Sequence, residues 1–380
     1  MKYNNNSLTA ISIFLLFLLV ACASEKDPTN LLDHVLASKN SLIKNVIDST
    51  DYYEVQILLS TIQRTSDKVT FTDYAYHVDD NNYFYPASSV KFPISLLALE
   101  KLEKDNRFDR NTKFYVEGDS LETTFEDEIN KIYAVSDNEA FNRLFEYLGK
   151  DYINTTLKSK GLSPVRISHR LSTDNAYELT TKPLIFYEND TVLTEVKGTT
   201  NLPIEELQLQ RLHKGAGYVE GDSIIPEPMD FSLKNYLPVS TLHNTMKRII
   251  FPDSFKEEEL FQLNESDYNF VLKSMSSLPR EHGYDPVEYY DSYGKFYIIG
   301  DIKENIPENI KIYNKVGYAY GYLTDCAYIQ DTKNNVEFII TATISVNKNK
   351  IYNDGNYEYD TVGIPFLAEL GREVYQNLKK

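Results

Sequence analysis

Ser88, Ser89, Val90 and Lys91 spell an S-x-x-K. On a helix, positions i and i+3 share a face, so the Lys91 amine falls within reach of the Ser88 hydroxyl. A serine hydroxyl attacks a carbonyl only when a neighbour takes its proton. A lysine takes one only if burial or nearby positive charge lowers its pKa. A helix start beside Ser88 would add backbone N–H groups for a developing oxyanion. Further along, Ser136-Asp137-Asn138 places a hydroxyl that can relay a proton next to a carboxamide that can hold a substrate amide. Asp137 suits a loop-fixing role through backbone hydrogen bonds. Lys315-Val316-Gly317 adds a cation for a substrate carboxylate and a glycine that allows close backbone approach. Together these residue types suit acyl transfer through a serine nucleophile.

Each element taken singly is common. Ser41-Leu42-Ile43-Lys44 is also S-x-x-K, and Thr173-Asp174-Asn175 nearly repeats the second element. Ser41 reads as a solvated position on the first helix, because nothing near it marks a turn into a helix. Ser, Asp and Asn are also ordinary helix caps. The six histidines, including His169 and His213, show no metal-ligand spacing with each other or with Cys, and no H-E-x-x-H occurs. No metal or cofactor is therefore expected.

The elements that must carry these residues follow from periodicity. Leu32, Val35, Leu36, Leu42, Ile43, Val46 and Ile47 suggest an amphipathic helix near the start. Strand patterns run from Tyr53 and from Val69. A helix is expected after Tyr85-Pro86-Ala87-Ser88, and a helical stretch from about Asp127 to Leu162. Near the end, GYLTDCAYIQ and then Val336, Phe338, Ile340, Ala342, Ile344 and Val346 on every second position predict paired strands, the latter half-buried. Lys333-Asn334-Asn335 marks their turn, and Phe366, Leu367, Leu370, Val374 and Leu378 predict a last helix. Strands at both ends can complete one antiparallel sheet of about five strands, flanked by N- and C-terminal helices. The expected class is α+β, with a mainly helical lobe over about 85–300 and a cleft between the lobes.

The three elements, in this order, resemble those of the penicillin-recognising serine hydrolases, and most closely the class A β-lactamases. The matching stretches are FYPASSVKFPISLLALEKL from Phe84, VSDNEAFNRLFEYLG from Val135 and KVGYAYGYLTDCAYI from Lys315. The resemblance is collinear from about Leu31 to Lys380 and implies one β-lactamase-like domain over 31–380. It implies Ser88 as acylated nucleophile, Lys91 as its base and Ser136 as proton relay. It likewise implies Asn138 as the contact to a substrate amide and Lys315 as the carboxylate anchor, with Gly317 beside it leaving room for the substrate. The oxyanion would rest on the backbone N–H groups of Ser88 and Tyr318.

The pattern also breaks. Val316 stands where the family carries a hydroxyl residue, which would remove a hydrogen bond worth about 1.5–3 kcal/mol to a charged acceptor. The family deacylates through a glutamate five residues beyond an Arg-Leu pair; here that pair is Arg170-Leu171 and the position holds Asn175. Asp174 and Glu178 are the nearby carboxylates that could serve if the loop were remodelled. The chain between Lys91 and Lys315 is also longer than the family needs, and the extra residues fall at about 187–237, expected to border the cleft. Three functions stay open. The first is hydrolysis of β-lactam amides through an acyl-enzyme. The second is penicillin-binding, D,D-peptidase-like or other amide or ester chemistry with slow β-lactam deacylation. The third is a non-catalytic envelope lipoprotein.

The first residues read as an address. The apolar run from Ala10 to Ala21 is too short to cross a bilayer, which takes about 20 residues. It ends in Leu19-Val20-Ala21-Cys22, which resembles a bacterial lipoprotein box. Residues 1–21 are expected to be a signal peptide, Cys22 the lipidated residue and 22–30 a tether. The expected product is an exported, membrane-anchored monomer that faces the periplasm or cell surface and takes a small-molecule substrate. Its formal charge of −17, with no run of Lys and Arg, argues against nucleic-acid binding. With Cys22 lipidated, Cys326 would have no partner for an intrachain disulfide.

Overall fold

The computed structural model describes residues 30–66, 68–189 and 192–379. The expected signal peptide, the Cys22 lipidation site and the tether up to residue 29 lie outside them. The chain opens with three short helices, α1 (Leu31–Leu36), α2 (Ser41–Ile47) and α3 (Thr50–Tyr53). The single amphipathic helix read from the apolar spacing is thus divided. The Asn30 and Asn40 side chains each cap a separate helix, accepting from Asp33 N–H and Leu42 N–H. β1 (Gln56–Arg64) and β2 (Val69–Tyr76) follow as a hairpin. A 3₁₀ turn at Ala87–Val90 then leads directly into α4 (Lys91–Asp105). After β3 (Phe114–Val116) come α5 (Phe125–Val135), α6 (Asn138–Leu148) and α7 (Lys150–Ser159).

The helical stretch expected from 127 to 162 is therefore three helices with two breaks. Ser136 adopts φ 58°, ending α5, and the Asp137 side chain accepts from Ala140 N–H to start α6. Gly149, at φ 76°, separates α6 from α7. The extra chain holds short strands: β4 (Leu184–Asn189), β5 (Val192–Val196), β6 (His213–Lys214), β7 (Gly217–Glu220), β8 (Ser223–Ile225) and β9 (Met229–Asp230). α8 (Val239–Ile250) and α9 (Glu265–Ser276) return to the helical lobe. β10 (Ile310–Ala319), β11 (Tyr322–Asp331), β12 (Val336–Ser345), β13 (Ile351–Tyr352) and α10 (Ile364–Leu378) complete the chain.

The main sheet has the order β10-β11-β12-β1-β2, antiparallel throughout. The first and last strands of this sheet in chain order, β1 and β12, thus pair with each other, as the strand signals at both chain ends predict. The alternation in β12 is real, but the strand is buried on both faces, not one. Phe338, Ile340, Ala342 and Ile344 pack with the terminal helices, while Ile339 joins the core of the helical lobe. Between these, Thr341 and Thr343 satisfy their hydroxyls against His243, Cys326 and Thr324. Polar spacers inside a sandwiched strand thus imitate a half-exposed one.

α4 is buried on nearly every side, from Lys91 to Leu102, because it runs through the centre of the helical lobe with the sheet beside it. β10 is the free edge of the sheet, and its Gly317 lies against the turn that carries Ser88. A Cβ on Gly317 would come within 2.3 Å of Pro86 O, 2.7 Å of Ser89 N and 3.0 Å of Ser88 N. All three are backbone atoms that cannot rotate away. Gly317→Ala should therefore displace the Ser88 turn and cost about 1–3 kcal/mol of stability, read as a lower urea midpoint. An unchanged midpoint would contradict this packing.

Candidate active site

Ser88 sits half-buried on the 3₁₀ turn, immediately after Ala87 at φ 48°. A non-glycine residue in that region is strained, and such strain is kept where the surroundings hold it in place. Here the turn is fixed from within by Ser89, whose hydroxyl donates to Pro86 O at 2.7 Å. The Ser88 hydroxyl makes no hydrogen bond among the described residues. The Ser88–Lys91 contact suggested by their spacing is thus not closed in this state.

Lys91 points its amine at the break between α5 and α6. The amine donates to the Ser136 carbonyl and to Asn138 Oδ1 at 2.7 Å, and lies within hydrogen-bond reach of Ser136 Oγ at 3.4 Å. A fully buried amine takes the strongest acceptors at hand, here a carbonyl and a carboxamide oxygen. Catalytic hydrogen bonds are often long or poorly aligned before substrate binds, so an open Ser88–Lys91 contact is compatible with a base role. Lys315, also buried, donates to the same Ser136 Oγ at 2.8 Å and to Val316 O at 2.9 Å. The Ser136 hydroxyl is thus gripped by two lysines, one from the central helix and one from the edge strand.

Burial pushes Lys91 well below the usual lysine range, and the charge on Lys315 pushes the same way, against a weaker pull from Asp137. Lys315 is lowered to about 7, again first by burial, with Asp325 opposing and Lys295 adding to the fall. Behind Lys315 lies a buried group that the motifs did not reveal. Lys295 donates to Ile312 O at 2.9 Å and Asn314 Oδ1 at 3.0 Å, and Asn314 donates to Asp325 Oδ1 at 2.9 Å. Burial raises Asp325 to about 6 and lowers Lys295 to about 8. Asp325, directly before the apolar run Cys326–Ile329, was the one sequence signal that could have pointed to this group.

Asn138 reaches the other way as well, donating to Ser172 Oγ at 3.0 Å. Ser172 belongs to a loop held by an ion pair with almost no exposure: Arg170 Nε to Glu146 Oε1 at 2.6 Å and Nη2 to Oε2 at 2.9 Å. Arg170 also donates to the carbonyls of Glu178 at 2.9 Å and Thr180 at 3.1 Å. Asn142 pairs with both the N–H and C=O of Leu171. The loop is therefore built from α6, and it turns Ser172 and Thr173 toward Ser88.

Asp174 and Glu178, the carboxylates proposed from sequence as deacylation bases, are both exposed and neither lines the cavity. The reason lies in the loop geometry. Arg170 pins the backbone at Glu178, and Asn175 turns inward to accept from Thr173 Oγ1 at 2.7 Å. Among the described residues, no Asp or Glu lines the cavity that holds Ser88.

Two cavities meet at Tyr318. One, about 480 Å³, holds Ser88, Asn138, Ser172, Tyr177, Lys234 and Tyr320. The other, about 250 Å³, holds Ser136, Lys315, Val316 and a wall of Tyr290, Tyr293 and Tyr359. The tight turn at Tyr320-Gly321 pairs Ala319 with Tyr322, so ladder alternation leaves the Tyr318 N–H on the free edge of β10. The extra chain borders the cleft, as expected, through Lys234. That residue gave no signal in the sequence, because it belongs to no motif. His169 lines the same cavity as a structural residue: its Nε2 accepts from Asn235 N at 3.2 Å and its Nδ1 donates to Arg170 O at 2.6 Å.

Residues 41–195 match the model of a family described as the Beta-lactamase enzyme family. No curated protein sequence matches the chain. Among solved structures, a β-lactamase from Sphaerobacter thermophilus DSM 20745 superposes over 92% of this chain and 96% of its own, with TM-score 0.50 and 12% identity. A β-lactamase from Xanthomonas campestris pv. campestris str. ATCC 33913 covers 91% and 98%, with TM-score 0.51 and 12% identity. A class A β-lactamase from Mycobacterium abscessus covers 92% and 99%, with TM-score 0.50 and 14% identity. At these identities the likeness shows the fold, an α+β arrangement of the β-lactamase and transpeptidase type.

The loop that carries Ser172 rests on the Arg170–Glu146 pair. Glu146→Ala should cost about 3–5 kcal/mol, because it leaves a buried guanidinium unpaired. Denaturant unfolding reads the loss, and hydrogen exchange should quicken over 170–180. Wild-type stability in this variant would contradict the assignment.

Proposed function

We propose that the protein is a serine hydrolase that opens β-lactam amides by acylating Ser88, and that it releases the acyl group slowly. The observation that carries this reading is the Ser136 hydroxyl gripped between the Lys91 and Lys315 amines, Lys91 standing three residues beyond Ser88 where its turn enters α4. Lys91, whose pKa is pushed well down by burial and by the second lysine, takes the Ser88 proton in its neutral form. Ser88 Oγ bonds to the lactam carbonyl carbon, and the oxyanion rests on the N–H groups of Ser88 and Tyr318. The carbon–nitrogen bond breaks. The nitrogen takes a proton from Ser136 Oγ, which is refilled from the Lys91 ammonium, leaving an ester on Ser88. Water then cleaves that ester and returns the hydroxyl.

Slow release is favoured by the absence of a carboxylate among the described residues that line the Ser88 cavity. Val316 favours it less directly. Its side chain lines the Lys315 cavity as an apolar wall, where a hydroxyl would bond a substrate carboxylate. Behaviour of this kind suits a penicillin-binding hydrolase whose natural substrate is a cell-wall peptide or a related amide. The stretch from Ala10 to Cys22 supports an exported lipoprotein, anchored by acyl chains at Cys22 and working without nucleic acid or cofactor.

Intact-mass spectrometry after exposure to penicillin tests the reading. Wild type should gain one penicillin mass that persists after the free drug is removed, and Ser88→Ala should gain none. Rapid turnover with no adduct would contradict slow release, and neither adduct nor turnover would contradict the enzyme. The pH dependence adds a second test. The base must be neutral, so acylation is lost as pH falls through the Lys91 pKa. The anchor must be charged, so acylation efficiency also falls as pH rises through about 7, where Lys315 loses its proton. A bell with its alkaline limb near neutrality is expected, whereas a flat profile up to pH 9 would contradict the assignment of Lys315.

A further inference from the structure

The Ser88 cavity is also lined by Ser172, Tyr177 and Lys234, the last near the end of the extra chain. The Lys234 amine lies 5.2 Å from the ring centroid of Tyr177 and 5.9 Å from that of Tyr320. Its side chain makes no hydrogen bond or ion pair among the described residues. Its backbone is nonetheless fixed, the N–H donating to Phe231 O and the C=O accepting from Arg166 Nη2. The other charged lining residue, Arg170, is engaged by Glu146. His169 is held neutral, since burial lowers it to about 4. With no Asp or Glu lining this cavity among the described residues, a chain of formal charge −17 presents here an unpaired ammonium between aromatic walls.

We propose that Lys234, with Tyr177 and Tyr320, forms a second anion subsite in the same cleft, and that the substrate is an amide whose acyl side bears a carboxylate. The inference rests on the acyl-enzyme reading above. It follows from the order of groups along the cleft. Lys315 and Ser136 line one cavity, Ser88 and Asn138 the next, and Tyr318 joins the two. A substrate whose amine-side carboxylate is held at Lys315 has its carbonyl at Ser88. Its acyl side chain then lies in the cavity that Asn138 and Lys234 both line. An ammonium there gains a charge-assisted hydrogen bond from an acidic side chain and nothing comparable from a neutral one. The tyrosine rings hold the amine in place without neutralising it.

The probes are benzylpenicillin and its α-carboxy derivative, which differ by one carboxylate on the acyl side chain. The readout is the second-order rate of Ser88 labelling, followed by intact mass at low salt. Wild type should label about ten-fold faster with the α-carboxy compound, a preference that shrinks as salt is raised. Lys234→Ala and Lys234→Gln should bring the ratio close to one, and Lys234→Arg should keep it. A wild-type ratio near one, or a ratio untouched in both neutral variants, overturns the subsite while the acyl-enzyme reading stands. Labelling by neither compound removes that reading, and the subsite with it.

Discussion

Two lysines closing on one hydroxyl away from water set a constraint that the rest of the structure serves. At an effective dielectric constant near 20, two unit charges 4 Å apart repel by about 4 kcal/mol. Burial adds a cost for each charge. Both effects favour the uncharged amines, and Lys91, in the helical lobe, is pushed well below the usual lysine range. Lys315 keeps more of its charge because Asp325 lies behind it, although Lys295 acts in the opposite sense. An amine of lowered pKa, a hydroxyl and a second amine in series are arranged to pass a proton in the proposed reaction, with no metal ligand or histidine required for that relay.

Each element exists where it does to build that series. α4 delivers Lys91 only because its whole circumference is apolar enough to run through the lobe. The α5–α6 break presents the Ser136 carbonyl and hydroxyl because Ser136 takes a left-handed turn and Asp137 restarts the helix. The edge strand β10 delivers Lys315, and Gly317 lets that strand touch the Ser88 turn. The cap-forming and catalytic readings of Ser-Asp-Asn are therefore not rivals. Asp137 caps the helix, and by doing so it aims its two neighbours.

The sheet and the motif residues were legible in the sequence because each leaves a periodic or local mark. The alternation in β12, the turn at Lys333–Asn335 and the helix after Ser88 all follow from side-chain types within a few residues of one another. What was not legible depended on contacts across long stretches of chain. The first helix divides because two asparagines cap separate segments. Both faces of β12 can be buried because Thr341 and Thr343 find partners inside the sandwich in His243, Cys326 and Thr324. Asp174 and Glu178 fell near the family position in sequence, yet Arg170 turns the loop so that neither meets the cavity. Lys234, about 60 residues beyond the loop it faces, could be placed only once the extra chain had folded back. Lys295 and Asp325 became meaningful only when Asn314 was seen between them.

The central claim is the charge state of the two amines, and it can be read directly. In protein labelled with ¹³C-lysine, the Cε shifts of Lys91 and Lys315 are followed against pH and assigned by Lys91→Met and Lys315→Met. The account predicts that Lys91 is uncharged far below the ordinary lysine value of about 10.4 and that Lys315 titrates near 7. Both signals titrating together near 10.4 would mean two ordinary ammonium ions, and the proton path described here would not exist.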